Sequence, residues 1–228
     1  MTLKVAIITP FYNTPVNWLK QCIESVKNQT YSYYHILVSD GNAEDSEDMK
    51  YLMKSHQDIS IIRLPESHND YGDTPRAIGS ISAFRKGFDA ICWLDADNWF
   101  APNHVESLVN LHLETQASIC TSTRYLCHLN GKVLGKCPEI NPDRFIDTNC
   151  YLITKAVKGI VSFWWMMDDN HHAVGDRVVF NTIKKEKVLH RHTTMPTVFY
   201  RTAFQAHYDY FGVPHPPGSK PNVKVKNG

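Results

Sequence analysis

Two carboxylates separated by a single residue stand directly after an apolar run, in Ile91-Cys92-Trp93-Leu94-Asp95-Ala96-Asp97-Asn98. An extended run that ends in such a triplet can turn both acids into one cavity. Their hard oxygens suit Mg²⁺ or Mn²⁺. An ion held there can bind two phosphate oxygens and offset the charge of a departing diphosphate. Taken alone, Asp-x-Asp is equally a solvated turn or a cap for the helix expected after Pro102, so the elements around it decide. A further acid, Asp176 in Gly175-Asp176-Arg177, precedes the apolar face Val178, Val179, Phe180 and Ile183. That spacing puts it at a helix N-terminus, where the dipole favours a carboxylate. A carboxylate within reach of a hydroxyl can take its proton. Asp168 and Asp169, behind Trp164-Trp165-Met166-Met167, are rivals for that task.

The elements that must position these acids alternate. Residues 3–9 read as a short buried strand ending at Pro10, with Thr14 offered as an N-cap and Pro15 as the first helical position. Trp18, Leu19, Cys22, Ile23 and Val26 share one helical face. Residues 35–39 form a second strand ending at Asp40-Gly41, 45–55 a polar helix, and 59–64 a third strand. A helix from Pro75 carries Ile78, Ile81, Phe84 and Phe88 inward, and 90–94 is the strand before the acidic pair. Alternating strand and helix imply a parallel sheet with right-handed crossovers. Ligands of such sheets bind at the carboxyl ends of the strands, where residues 9–12 and Asp40 fall. From residue 118 the character changes. A hairpin turns at Asn130-Gly131, 145–153 and 187–192 read as strands, and 176–184 and 198–210 as helices. Residues 214–228, rich in Pro, Gly and Lys, read as a flexible tail or a linker to further domains of a longer chain.

Four blocks in order resemble glycosyltransferase family 2. They are Ile7-Ile8-Thr9-Pro10-Phe11-Tyr12-Asn13; Ser25-Val26-Lys27-Asn28-Gln29-Thr30; Val38-Ser39-Asp40-Gly41; and Arg76, Gly79, Ala83 and Gly87 leading into Trp93-Leu94-Asp95-Ala96-Asp97. The match is close over residues 3–100 and loose beyond. The resemblance implies an α/β GT-A fold: a Rossmann-like nucleotide-binding half with a mixed central sheet (about 1–100), continuous with an acceptor half (about 101–213). It implies inverting transfer of a sugar from a nucleotide-diphosphate sugar, UDP- or dTDP-type, to a hydroxyl of a glycan, glycolipid or similar carbohydrate acceptor. By the same resemblance Thr9, Pro10 and Tyr12 border base and ribose, Asp40 bonds the base, and Arg76 lies near base or diphosphate. Asp95 faces the ribose, with Ala96 beside it, and Asp97 binds Mn²⁺ or Mg²⁺. Asp176 matches the family's base, although Gly175 replaces the usual Glu before it. A histidine downstream of the base can complete the metal site: His192 is preferred to His190, and His171-His172 reads as loop surface. Asn149 reaches the donor sugar. The lead into Arg76, residues 68–75, departs from the family's pattern, and Asp73 in it reads as a helix cap.

Totals narrow the field. The 228 residues, 43% hydrophobic, fit one domain, and a formal net charge of +1 gives no broad field for nucleic acid. Six scattered cysteines without metal-site spacing read as free buried thiols of a reducing compartment, hence a cytoplasmic expectation. No run approaches the roughly 20 apolar residues of a membrane helix. The basic tail with Tyr208, Tyr210 and Phe211 leaves room for a peripheral membrane contact. A sugar-phosphate nucleotidyltransferase is the first alternative, but residues 9–13 lack the glycine-rich basic loop it needs. A non-catalytic sugar-binding module on the same fold is the second.

Overall fold

The computed structural model describes residues 2–41, 46–56 and 59–221. β1 (Val5–Phe11) is buried at every position. α1 (Val16–Lys27) follows it and β2 (Tyr33–Ser39) lies parallel beside it. α2 (Glu47–Ser55) is capped by Ser46, whose hydroxyl accepts from Met49 N. It leads to β3 (Ser60–Arg63), parallel to β2. α3 (Asp73–Arg85) then crosses to β4 (Ala90–Trp93), which runs parallel to β1 on its other side. β5 (Trp99–Phe100), α4 (His104–Thr115), β6 (Ile119–Cys127) and β7 (Val133–Lys136) come next. β8 (Tyr151–Thr154), α5 (Phe163–Met166), α6 (Gly175–Lys185), β9 (His190–Arg201) and α7 (Gln205–Tyr210) complete the order. The strands form one mixed sheet, β3-β2-β1-β4-β8-β6-β9-β5, with β7 paired to β6. The parallel half is the repeating unit expected of residues 3–100. Antiparallel β8 joins the second half onto β4.

Several sequence expectations are corrected. Thr14 does not cap α1: its hydroxyl turns back to Tyr12 O and the helix starts after Pro15 without a side-chain cap. The helix expected from Pro75 begins at Asp73. Its free N–H groups are taken by Asp70, whose carboxylate accepts from Gly72, Asp73 and Thr74; Asp73 is not the cap. Only Tyr151–Thr154 of the strand expected at 145–153 is extended. Asp147 accepts from Asn149 N and folds Thr148–Cys150 into a 3₁₀ turn. The last helix is short, because residues 198–201 belong to β9. Val198, Phe199 and Tyr200, branched or aromatic, pair with Arg124, Tyr125 and Leu126 of β6, and sheet pairing of that kind overrides local helical spacing. Residues 214–221, expected in the tail, fold back: Phe204 bridges Lys220 and His215 Nε2 lies 2.7 Å from Asp209. Residue 45 of the expected polar helix and 222–228 of the tail lie outside the described residues.

The core centres on Trp93, which meets Tyr151 and Trp164 edge-on and donates from Nε1 to Ser80 Oγ at 2.9 Å. All six cysteines are free and buried. α3 lies so close to the sheet that a Cβ on Gly79 would stand 2.5 Å from Ile8 Cγ2 and 2.9 Å from Val38 Cγ2. Both atoms belong to fully buried, branched side chains, which cannot swing away. Gly79→Ala is therefore expected to lower stability by about 1–3 kcal/mol through overpacking, read as a lower urea midpoint with an unchanged slope.

Candidate functional site

The carboxyl ends of β1, β2 and β4 open onto a cleft of about 660 Å³. Its walls include Pro10 near the end of β1 and Tyr12 just after it, Asp40 after β2, Arg76 of α3, and Asp95, Ala96 and Asp97 after β4. A cavity of that size is in the range for a small-molecule ligand. Thr9 lies beneath it, fully buried, with Oγ1 3.0 Å from His35 Nε2. Asp40 is 3% exposed and holds the loop before α3: it accepts from Ser67 Oγ and His68 N, and its Oδ1 lies 2.7 Å from His68 Nδ1.

Arg76 links the acids. It is buried, donates from Nη1 to Asp73 at 2.9 Å and from Nη2 to Asp95 at 2.7 Å, and lies over the Trp164 ring. Burial works against its charge, but Asp95 and Asp73 outweigh that and raise its pKa. Asp73 carries the chain one residue further, its Oδ2 lying 2.8 Å from His172 Nδ1. Burial pushes the Asp73 carboxyl up to about 6 against the pull of Arg76 and His172. His172, expected at the loop surface, is thus a partner of the α3 N-terminus, while Asp168 caps its own turn through Asn170 and Asp169 is fully exposed.

Asp95 is oriented from its other side by Asn149, which accepts from Asp95 N at 2.6 Å and donates to Oδ2 at 2.9 Å. Asn149 in turn donates to Asp147, and Asp147 accepts from the buried Arg124 at 2.5 Å. Asn149 therefore reaches the site from a 3₁₀ turn rather than from a strand. The carboxylate of Asp97 is different. Among the described residues it takes no hydrogen bond from another side chain, and burial together with nearby Asp95 pushes it up to about 7. Its backbone carbonyl accepts from Arg201 Nη1, and Arg201 N donates to Asn98 Oδ1 at 2.9 Å. The Arg201 guanidinium sits by the rings of Trp18 and Trp99, 5.0 and 4.6 Å from their centroids. The end of β9 thus braces the turn that carries the acidic pair.

Asp176 opens α6 and accepts from Arg177 N at 2.8 Å. Burial, with Asp147 nearby, pushes its carboxyl up to about 6. Gly175 explains itself here: a Cβ would lie 3.0 Å from both Asp73 Oδ2 and Trp164. The Asp73 carboxylate fills the space a side chain at 175 would take. His192 stands elsewhere on β9, its Nδ1 3.0 Å from Thr121 Oγ1, with His190 Nε2 on the same hydroxyl. Neither histidine lines the cleft, and the described residues hold no cluster of three or more ligating side chains.

Sequence reasoning missed His68, Asp147, Arg124, His172 and Arg201. Only Arg201 had an available signal: with 198–201 taken as strand, it falls at the strand end beside Trp99. No helix among the described residues is long and apolar enough to cross a membrane.

Residues 6–183 match the family model described as Glycosyl transferase family 2. An uncharacterized glycosyltransferase of Rickettsia bellii is 33% identical over 147 residues, covering 64% of this chain and 20% of that protein. Glycosyltransferase GlyA of Streptococcus pneumoniae is 25% identical over 122 residues, 54% of this chain and 17% of that protein. The matched stretch thus spans about a fifth of each relative's length. Among solved structures, S. aureus TarS 1-349 in complex with UDP superposes with a TM-score of 0.66 at 9% identity, covering 88% of this chain and 61% of that one. The same fragment in complex with UDP-GlcNAc gives a TM-score of 0.60 at 9% identity, covering 88% of this chain and 59% of that one. The architecture is the GT-A fold, and the chain belongs to glycosyl transferase family 2.

Proposed function

We propose that this chain moves a sugar from a UDP- or dTDP-type nucleotide sugar to an acceptor hydroxyl, with inversion and with the help of Mn²⁺ or Mg²⁺. The observation that carries the reading is the Asp97 carboxylate, which takes no hydrogen bond from another side chain among the described residues, beside Asp95 in a cleft at the strand ends. Two carboxylates with no third ligating side chain among the described residues suit an ion that takes its remaining ligands from substrate phosphates and water. A cation there would also hold Asp97 ionised. His192 does not fit that set, because its ring is turned to Thr121. The UDP and UDP-GlcNAc complexes of TarS support the choice of donor. When bound, the ion would offset charge on the leaving diphosphate.

The chain's own residues do the rest. Arg76 and Asn149 fix Asp95 from two sides, so it meets the donor without reorganising. Asp176 takes the proton of the acceptor hydroxyl. The freed oxygen bonds to the anomeric carbon as the bond to the diphosphate breaks, its electron pair leaving with the diphosphate. Raised to about 6 by burial, Asp176 is a stronger base than an exposed carboxylate yet ionised at neutral pH.

Calorimetry with UDP, dTDP and GDP, with and without Mn²⁺, tests the reading beside an Asp97→Ala variant. One nucleotide is expected to bind in a metal-dependent way in the parent, and the variant is expected to lose the metal's contribution. Absence of binding by all three nucleotides would overturn it.

A further inference from the structure

Five non-glycine residues among those described have left-handed backbones, and three of them line the cleft: Asn13 (φ 47°), Asn69 (φ 52°) and Tyr71 (φ 58°). Asparagine tolerates that conformation; tyrosine does so only at a steric cost. The loop leaves Tyr71 no choice. Its neighbour Asp70 is 5% exposed and gathers the N–H groups of the three residues that follow Tyr71. Gly72 (φ 85°) lies against Pro10, where a Cβ would come within 3.3 Å of the proline ring. The outcome is a phenol ring 74% exposed at the cleft wall. The cleft's other large exposed ring, Tyr12, is 50% exposed and comes from a different element. Strain held at a ligand cleft, with an aromatic face left in water, points to a ring that awaits a partner.

The fold says which end of a ligand that partner is. The loop carrying Tyr71 is pinned by Asp40 at the end of β2, through His68. The acidic pair lies after β4, and Asp176 lies close enough to feel the charge of Asp147, which precedes the 3₁₀ turn that leads into β8. With strands in the order β2-β1-β4-β8, a diphosphate held at Asp95 and Asp97 has the sugar toward Asp176 and the nucleoside toward β2.

We infer that Tyr71 is the stacking residue for the nucleobase of the donor, a determinant of nucleotide affinity that acts apart from the acidic pair. The inference rests on the nucleotide-sugar reading above. It makes the strain part of function: a residue better suited to the backbone would bind the nucleotide worse.

The experiment uses the full chain with Mn²⁺ and two probes, UDP and inorganic pyrophosphate, and compares the parent with Tyr71→Asn and Tyr71→Phe. Tyr71→Asn, which suits a left-handed backbone but has no ring, is expected to weaken UDP about tenfold. It should leave pyrophosphate unchanged and the melting temperature equal or higher. Tyr71→Phe keeps the face and should match the parent for both probes. UDP affinity unchanged in Tyr71→Asn, equal losses for UDP and pyrophosphate, or a melting temperature lowered together with affinity would each overturn the inference. If the parent binds pyrophosphate but not UDP, dTDP or GDP, the functional reading itself fails, and this inference with it.

Discussion

Asp176→Asn is expected to leave a folded protein that binds nucleotide as before and transfers sugar about 10²–10⁴-fold more slowly, the usual share of a general base. The amide keeps the size of the carboxyl and can still accept from Arg177 N. It also removes a half-buried negative charge that Asp147 opposes, so the fold should lose nothing. The pH profile supplies a second signature. The base must be ionised and its carboxyl sits at about 6. The parent's rate should therefore climb with pH through that value and level off above it, while the residual rate of the variant should not follow that curve. Asp168→Asn and Asp169→Asn are the comparison, since one acid caps its own turn and the other is fully exposed. Either of them reproducing the loss, with Asp176→Asn active, would move the base to the preceding loop.

Arg76→Met is expected to have the largest effect on stability. The guanidinium is 4% exposed and serves Asp73 and Asp95 together. Removing it leaves the Asp73 carboxylate in the interior with His172 but without its guanidinium, and breaking a buried pair in this way costs about 3–5 kcal/mol. Urea denaturation of the variant should show it. Two controls separate charge from packing. Arg76→Met with Asp73→Asn should recover part of the loss, because the orphaned charge is gone. The charge part of the single variant's deficit should also shrink as pH falls toward about 6, the parent's Asp73 value, because without Arg76 the carboxyl takes up its proton at a higher pH still. Arg76→Lys should not rescue, since an ammonium cannot fork between two carboxylates at fixed angles. A variant with parental stability would mean that Asp73 and Asp95 are held by other contacts.

The first half, residues 3–100, was legible because its signals are local. β1 and β4 are short apolar runs, the first carrying Pro10 near its end and the second followed by Leu94 and Asp95, and in a parallel sheet the residues at and just after the ends of such runs must meet at one edge. Pro10, Tyr12, Asp40, Arg76 and the acidic pair all reach the cleft for that reason. The second half was less legible because its signals are contacts between distant segments. Asn149 touches Asp95 only because Asp147 folds a turn that reads as strand. Residues 198–201 are spaced like a helix and become strand only when β6 and β5 lie alongside them. Asp73 looked like a cap because its true partners, Arg76 and His172, include one 99 residues away. His192 followed a family habit, and its chain position alone could not show that Thr121 holds its ring.

The space before Gly175 is filled by a carboxylate from another helix and by the Trp164 ring, so a side chain at 175 competes with both. A change that adds a side chain at 175 must make both give way, and if the residue at 73 shrinks, Arg76 and His172 must both find new company. Drift at 175 is blocked unless both neighbours move with it. Among relatives of this chain positions 73 and 175 should therefore covary, one large and acidic where the other is small.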